Sequence, residues 1–256
     1  IQVISLVAQG YSWRDAYRAL GVFALVLIVP FFLIMRRRPE DIGLRPDGDK
    51  NPLSSPAGSS ETSPVLVPDH EWTPRQAVAT PTFWIIMSSE ALIILTAGAI
   101  GFQTVPYLRD SGLSQAYAAV ALSLASLLGA LGNPFWGLLV DRLSPRHMAL
   151  FIIAATAVVT SLFLVIESGR AGFIVMVVWG TTSGGLTILG NMMLAHYFGR
   201  SSFGTISGLM GPVQLGFLGL GPTLGAVLFN VTNGYTALFA YSVAAYCVAM
   251  LLVYAV

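Results

Sequence analysis

Apolar residues in this chain are gathered into long runs. Residues 19–35 carry no charge, 76–108 carry only Glu90, 111–140 carry none, and 201–256 carry none. About 20 helical residues cross a bilayer core of ~30 Å, and in lipid only helices or closed barrels satisfy their own backbone hydrogen bonds. Barrel strands would alternate in polarity over ~10 residues, which GVFALVLIVPFFLIM (21–35) does not do. The pattern predicts seven membrane helices, at 19–35, 83–107, 116–139, 148–166, 172–196, 203–229 and 235–256. Residues 1–10, IQVISLVAQG, are apolar but would rise only ~15 Å as a helix. Without an initiator methionine or a basic leader they do not read as a signal peptide. They read as the end of a preceding helix, which makes the chain a fragment of a longer protein.

Composition strengthens this reading. The chain is 55% hydrophobic and 10% charged, against about a quarter charged in ordinary soluble domains. The net charge of +1 offers no clustered basic face for nucleic acid. Cys247, the single cysteine, can build neither a disulfide framework nor a thiolate metal site.

Lys and Arg divide unevenly between alternate loops. One side holds nine, Arg36, Arg37, Arg38, Arg45, Lys50, Arg75, Arg142, Arg146 and Arg200; the other holds four, Arg14, Arg18, Arg109 and Arg170. The positive-inside rule makes the first side cytoplasmic, together with Val256 and the one long hydrophilic segment. That segment, 36–75, is rich in Ser, Pro and Gly and reads as a flexible linker. The expected organisation is therefore 1–35 as the end of one bundle, 36–75 as a cytoplasmic linker, and 76–256 as a complete six-helix bundle.

Between two of the apolar runs lies a polar knot, GLLVDRLSPRH (137–147). Asp141, at the end of one helix, can accept hydrogen bonds from free N–H groups at the start of another, where the helix dipole favours an anion. The start of the helix at 203–229, near Ser202 to Gly204, is the candidate partner, and such a contact would act as a latch. Asp141, Arg142 and Arg146 can equally anchor the loop at the lipid headgroups.

The knot resembles the signature loop of the major facilitator superfamily, G-x-L-x-D-R followed by basic residues. The match is carried by GLLVDR (137–142) and Arg146, placed after the second span beyond the linker. RRRPEDIGLRPDGD (36–49) and HYFGRSSFGTISGL (196–209) resemble the bacterial branch that includes monocarboxylate and oxalate/formate carriers. The resemblance implies an all-α integral membrane fold. The chain would supply part of helix 5, helix 6, the central loop and helices 7–12, the last six as two inverted three-helix repeats. It also implies a gating set of Gly137, Asp141, Arg142, Arg146 and Arg200, and a location in the plasma membrane. Two departures stand out: Ser144 and Pro145 replace the more usual Gly and Arg, and neither 116–139 nor 203–229 contains the basic residue typical of the branch's anion carriers.

Intramembrane ionisable groups are costly and mark function by default. Glu90 is the one such residue, with Ile86, Ile94, Ala97, Gly101 and Thr104 at helical spacing from it. It reads as a proton carrier, a cation-binding carboxylate, or a hydrogen-bonded packing residue. Gly180, Gly184, Thr187 and Asn191 form one stripe, and Gly208, Gly211, Gln214 and Gly221 another, beside Pro212 and Pro222. The glycines suit either close packing or an interrupted helix lining a cavity. Asn191 and Gln214 are expected to face a cavity, because an amide facing lipid lacks partners. Substrate- or proton-binding candidates are thus Glu90, Thr187, Asn191 and Gln214.

A membrane enzyme would need converging nucleophiles or paired carboxylates, and no two acidic residues share a span. The expected function is secondary active transport of a small solute, an organic acid or another, by alternating access, with protons as candidate coupling ions and no cofactor or metal. A seven-span receptor or membrane scaffold is the alternative.

Overall fold

The computed structural model describes residues 13–34, 72–140 and 144–255. The chain divides into two units, Ile1–Pro68 and Asp69–Val256. In the first, α1 (Trp13–Ile34) begins with an exposed Arg18–Asp15 pair at 2.9 Å. Its mainly apolar part, Tyr17–Phe32, is shorter than the membrane-length helices of the second unit.

The second unit contains α2 (Pro74–Val78), α3 (Pro81–Asp110), α4 (Gln115–Val140), α5 (Pro145–Leu162), α6 (Gly169–Gly199), α7 (Ser202–Thr232) and α8 (Thr236–Tyr254). The last six are each long and apolar enough to cross a membrane, and among the described residues there are no strands. Residues 72–75, read from the sequence as the end of the linker, are tied to this unit. The Trp72 ring stands edge-on to Phe198 at 5.4 Å. Thr73 and Gln76 form a capping box that satisfies two free N–H groups at the start of α2.

Helix starts follow their local chemistry. Thr80 and Ser168 cap α3 and α6 through their hydroxyl oxygens, and Pro81 and Pro145 occupy first-turn positions that need no N–H donor. The continuous helical backbone from α6 to α7 is broken at Gly199, whose φ of 75° is a conformation glycine adopts without strain. Of the two readings left open for this stretch, α7 runs through Pro212 and Pro222 without interruption. Membrane helices absorb prolines where neighbouring groups satisfy the freed carbonyls.

Two close crossings organise the bundle. A Cβ placed on Gly180 would lie 2.3 Å from the Ala125 carbonyl oxygen, and one on Gly184 would lie 2.5 Å from that of Gly129, so α6 touches α4 backbone to backbone. A Cβ on Gly221 would meet the Leu95 carbonyl at 2.6 Å, which sets α7 directly on α3. The α4–α6 seam is also fastened by polar groups. The Trp136 indole donates to the Thr181 carbonyl at 2.9 Å. The Asn133 amide, in the orientation that suits its neighbours, donates to the carbonyls of Gly184 (2.9 Å) and Gly129 (3.1 Å).

Each end of the bundle has its own closure. At one end Phe163 stacks on Phe239 at 4.7 Å, and Tyr107 stands edge-on to both rings and to Tyr235. Tyr235 then donates to the Asp110 carboxylate at 2.7 Å. Burial first, and then that carboxylate, raise the Tyr235 phenol above its ordinary range, so it keeps its proton and goes on donating. At the other end the Arg146 guanidinium donates to the Tyr254 carbonyl and lies 4.8 Å from the centre of the Tyr254 ring. A cation at the last turn of α8 complements the helix dipole.

Gly180→Ala is expected to destabilise the protein by about 1–3 kcal/mol, because its Cβ would meet unyielding backbone. Gly101→Ala, whose Cβ would meet nothing within 4 Å, is expected to stay within about 0.5 kcal/mol. Thermal unfolding of the two variants in detergent checks the contrast.

Candidate functional site

Glu90 lies on the third turn of α3 and is 6% exposed. Among the described residues its carboxyl has no ion-pair or hydrogen-bond partner. It sits instead in a notch on α6: a Cβ on Gly190 would lie 2.7 Å from Glu90 Cδ and 2.8 Å from Oε2. Because Gly190 has no side chain, α6 accepts the carboxyl against its backbone. A bare carboxylate in such surroundings is strongly disfavoured unless water or a proton reaches it.

What reaches it is a cavity of about 180 Å³ walled by α3, α6 and α7. Glu90, Ile94 and Ala97 come from α3, Ser183, Thr187, Gly190 and Asn191 from α6, and Gln214 from α7. The four residues singled out for substrate or proton binding, Glu90, Thr187, Asn191 and Gln214, thus share one cavity although they come from three helices. The Thr187 hydroxyl donates to the Gly184 carbonyl at 2.7 Å, leaving its oxygen lone pairs as acceptors.

The sequence-derived face around Glu90 divides. Ile94 and Ala97 line the cavity, but Ile86 is buried in the core. Thr104 donates to the Ile100 carbonyl and approaches Met176 Sδ at 3.5 Å, so it belongs to the α3–α6 contact. Of the small-residue stripes, Gly180, Gly184 and Gly221 serve close packing, whereas a Cβ on Gly208 or Gly211 would meet nothing within 4 Å. Ser183 and Gly190 were missed by sequence reasoning. Their signal was the spacing Ser183, Thr187, Gly190/Asn191, which places all four on one side of α6.

Of the gating candidates, only Gly137 and Arg146 are described in full. Asp141 and Arg142 lie outside the described residues, as does the side chain of Arg200. Gly137 is partly exposed on α4, with nothing near its Cα to meet a side chain. Arg146 is engaged with Tyr254 on α8. No Lys or Arg occupies the middle of any of the six long helices, and none lines the Glu90 cavity.

Six membrane-length helices around a buried carboxyl and a small polar cavity define an all-α, multi-pass integral membrane protein. The family pattern of the Major Facilitator Superfamily matches residues 3–214 and again 91–256. The chain belongs to the Major Facilitator Superfamily. It is also similar to the oxalate:formate antiporter of Oxalobacter formigenes, at 26% identity over 113 residues. That stretch is 44% of this chain and 27% of the antiporter, so the likeness covers about a quarter of the relative's length.

Gly190→Ala is expected to fold, because the atoms it meets are the movable end of Glu90, but to push the carboxyl out of its notch. Dicyclohexylcarbodiimide, an apolar reagent that attacks protonated carboxyls, should label Glu90 in the parent protein. The labelling rate should change by roughly threefold or more in Gly190→Ala, following the altered exposure of the acid. An unchanged rate would show that the notch does not position the carboxyl.

Proposed function

We propose that this chain is part of a secondary active transporter that carries a small organic solute across the plasma membrane by alternating access, with Glu90 carrying a coupled proton. One observation supports this above the others: an unpartnered, buried carboxyl opens on a cavity whose other polar groups come from two further helices. A packing carboxyl would be met by a donor across the helix contact, and the Glu90 carboxyl is met by the bare backbone of Gly190. Family membership and the likeness to an antiporter support transport over a receptor or scaffold role.

On this reading Glu90 is neutral while the cavity is dry and releases its proton when water enters from one side. Thr187, Asn191 and Gln214 orient the solute beside it. The loop at 36–75 and the end of the chain face the cytoplasm, following the nine-to-four division of basic residues. There Gly137, Asp141, Arg142, Arg146 and Arg200 form the gate, with Asp141 latching to the start of α7. The engagement of Arg146 with the last turn of α8 supports a structural part for it within that gate, holding α5 to α8 while the neighbouring loop moves. The six helices α3 to α8 are two inverted repeats of three, and 1–35 belongs to a separate bundle.

In proteoliposomes of the full-length protein, Glu90→Gln is expected to retain solute exchange and to lose accumulation driven by a pH gradient. Normal accumulation by the variant would remove the proton from this account. Asp141→Asn is expected to slow transport while leaving solute affinity within about threefold, because the residue acts on the conformational equilibrium and not in the cavity. Equal rates for the variant and the parent would retire the latch.

A further inference from the structure

A second compartment adjoins the Glu90 cavity along α6. It is a groove of about 270 Å³ between α4 and α6, and it shares Ser183 and Thr187 with that cavity. Its polar lining comes from Ser126, Asn133, Ser183 and Thr187.

Each of these groups has already committed its donors. Ser126 donates to the Leu122 carbonyl at 2.9 Å, Ser183 to Gly180 at 3.2 Å and Thr187 to Gly184 at 2.7 Å. The Asn133 amide nitrogen donates to the carbonyls of Gly184 and Gly129, which leaves its oxygen free. The remaining polar side chain of the wall, Trp179, has its indole nitrogen fully buried, so that N–H does not reach the groove surface. Regular helical backbone on both walls offers no spare N–H. The groove therefore presents hydrogen-bond acceptors and no donor among the described residues.

Such a wall discriminates by sign and by hydrogen count. A carboxylate brings only acceptors and would face lone pairs on every polar side, with no Lys or Arg in the middle of any long helix to offset its charge. A primary ammonium brings three donors and a positive charge, and Glu90 lies in the adjoining cavity across the shared Ser183 and Thr187. We infer that the α4–α6 groove binds the ammonium group of an organic amine, an inference that rests on the transporter reading above. It separates this chain in substrate chemistry from the oxalate:formate antiporter it is similar to.

The test uses the full-length protein in proteoliposomes. Propyl-, butyl- and hexylammonium are compared with the carboxylates of equal chain length, and butyltrimethylammonium supplies charge without N–H donors. Binding is read by thermal stabilisation and transport by uptake. At least one primary ammonium is expected to bind about tenfold or more tightly than its carboxylate and than the trimethylated cation. Ser183→Ala, which removes one acceptor from a charged donor, is expected to weaken it by about tenfold. Ser126→Ala, on the opposite wall, is expected to do the same. Carboxylates that bind or cross while ammoniums do not would overturn the inference and leave transport standing. An ammonium that binds without crossing would uphold the groove and overturn transport. Absence of ammonium binding, or equal affinity for the trimethylated cation, would also overturn the inference.

Discussion

The bundle depends on backbone meeting backbone. In lipid, burying one apolar side chain against another gains little over burying it in acyl chains, so helix association falls on close van der Waals contact and a few interhelical hydrogen bonds. Gly180 and Gly184 allow α6 to lie on Ala125 and Gly129 of α4, and Gly221 does the same for α7 on Leu95 of α3. The Trp136 and Asn133 hydrogen bonds add register to the first seam. Such bonds contribute on the order of 0.6 kcal/mol each in membranes, so their effect is to choose one alignment among several of similar packing energy.

Those contacts also create the polar cavities. With α6 held against α4 through one strip of small residues, the adjacent strip, Ser183, Thr187 and Asn191, is left facing open space. Gly190 extends the same economy of volume to the carboxyl of Glu90, which lies where a side chain would otherwise stand. The acid is thus buried by fit, with no cation among the described residues to hold it. A group kept in that condition responds to changes in its hydration, which is what opening a cavity to one side of a membrane and then the other would supply. The ends of the bundle are held differently: interlocked aromatic rings and the Tyr235–Asp110 bond at one, Arg146 on α8 at the other.

Much of the fold was legible in the sequence because a bilayer imposes a single length scale. The six expected spans beyond residue 75 lie within or nearly within α3 to α8, and their differences are at the ends, such as α5 stopping at Leu162 before a short run of turns. Pro212 and Pro222 left open whether α7 would be interrupted, and the helix runs through both, as a packed membrane helix can absorb a proline that would break one in water. Glu90 was legible as a costly charge. The choice between packing and cavity for the glycines was not, because spacing along a helix states which residues share a side and not what that side meets.

The sequence by itself determined the class of protein, the approximate position of every long helix, and the identity of the one ionisable residue in their midst, since each follows from the transfer free energies of side chains read in order along the chain. Tertiary structure alone decided which neighbours those side chains have. Gly180 meets Ala125 while Thr187 meets open space, Gly190 receives Glu90, and the hydroxyls of Ser126, Ser183 and Thr187 turn lone pairs to a groove. These are contacts or orientations that depend on residues distant along the chain, on the rotation of each helix about its axis and on where it crosses the next, quantities that hydrophobicity along a chain does not contain.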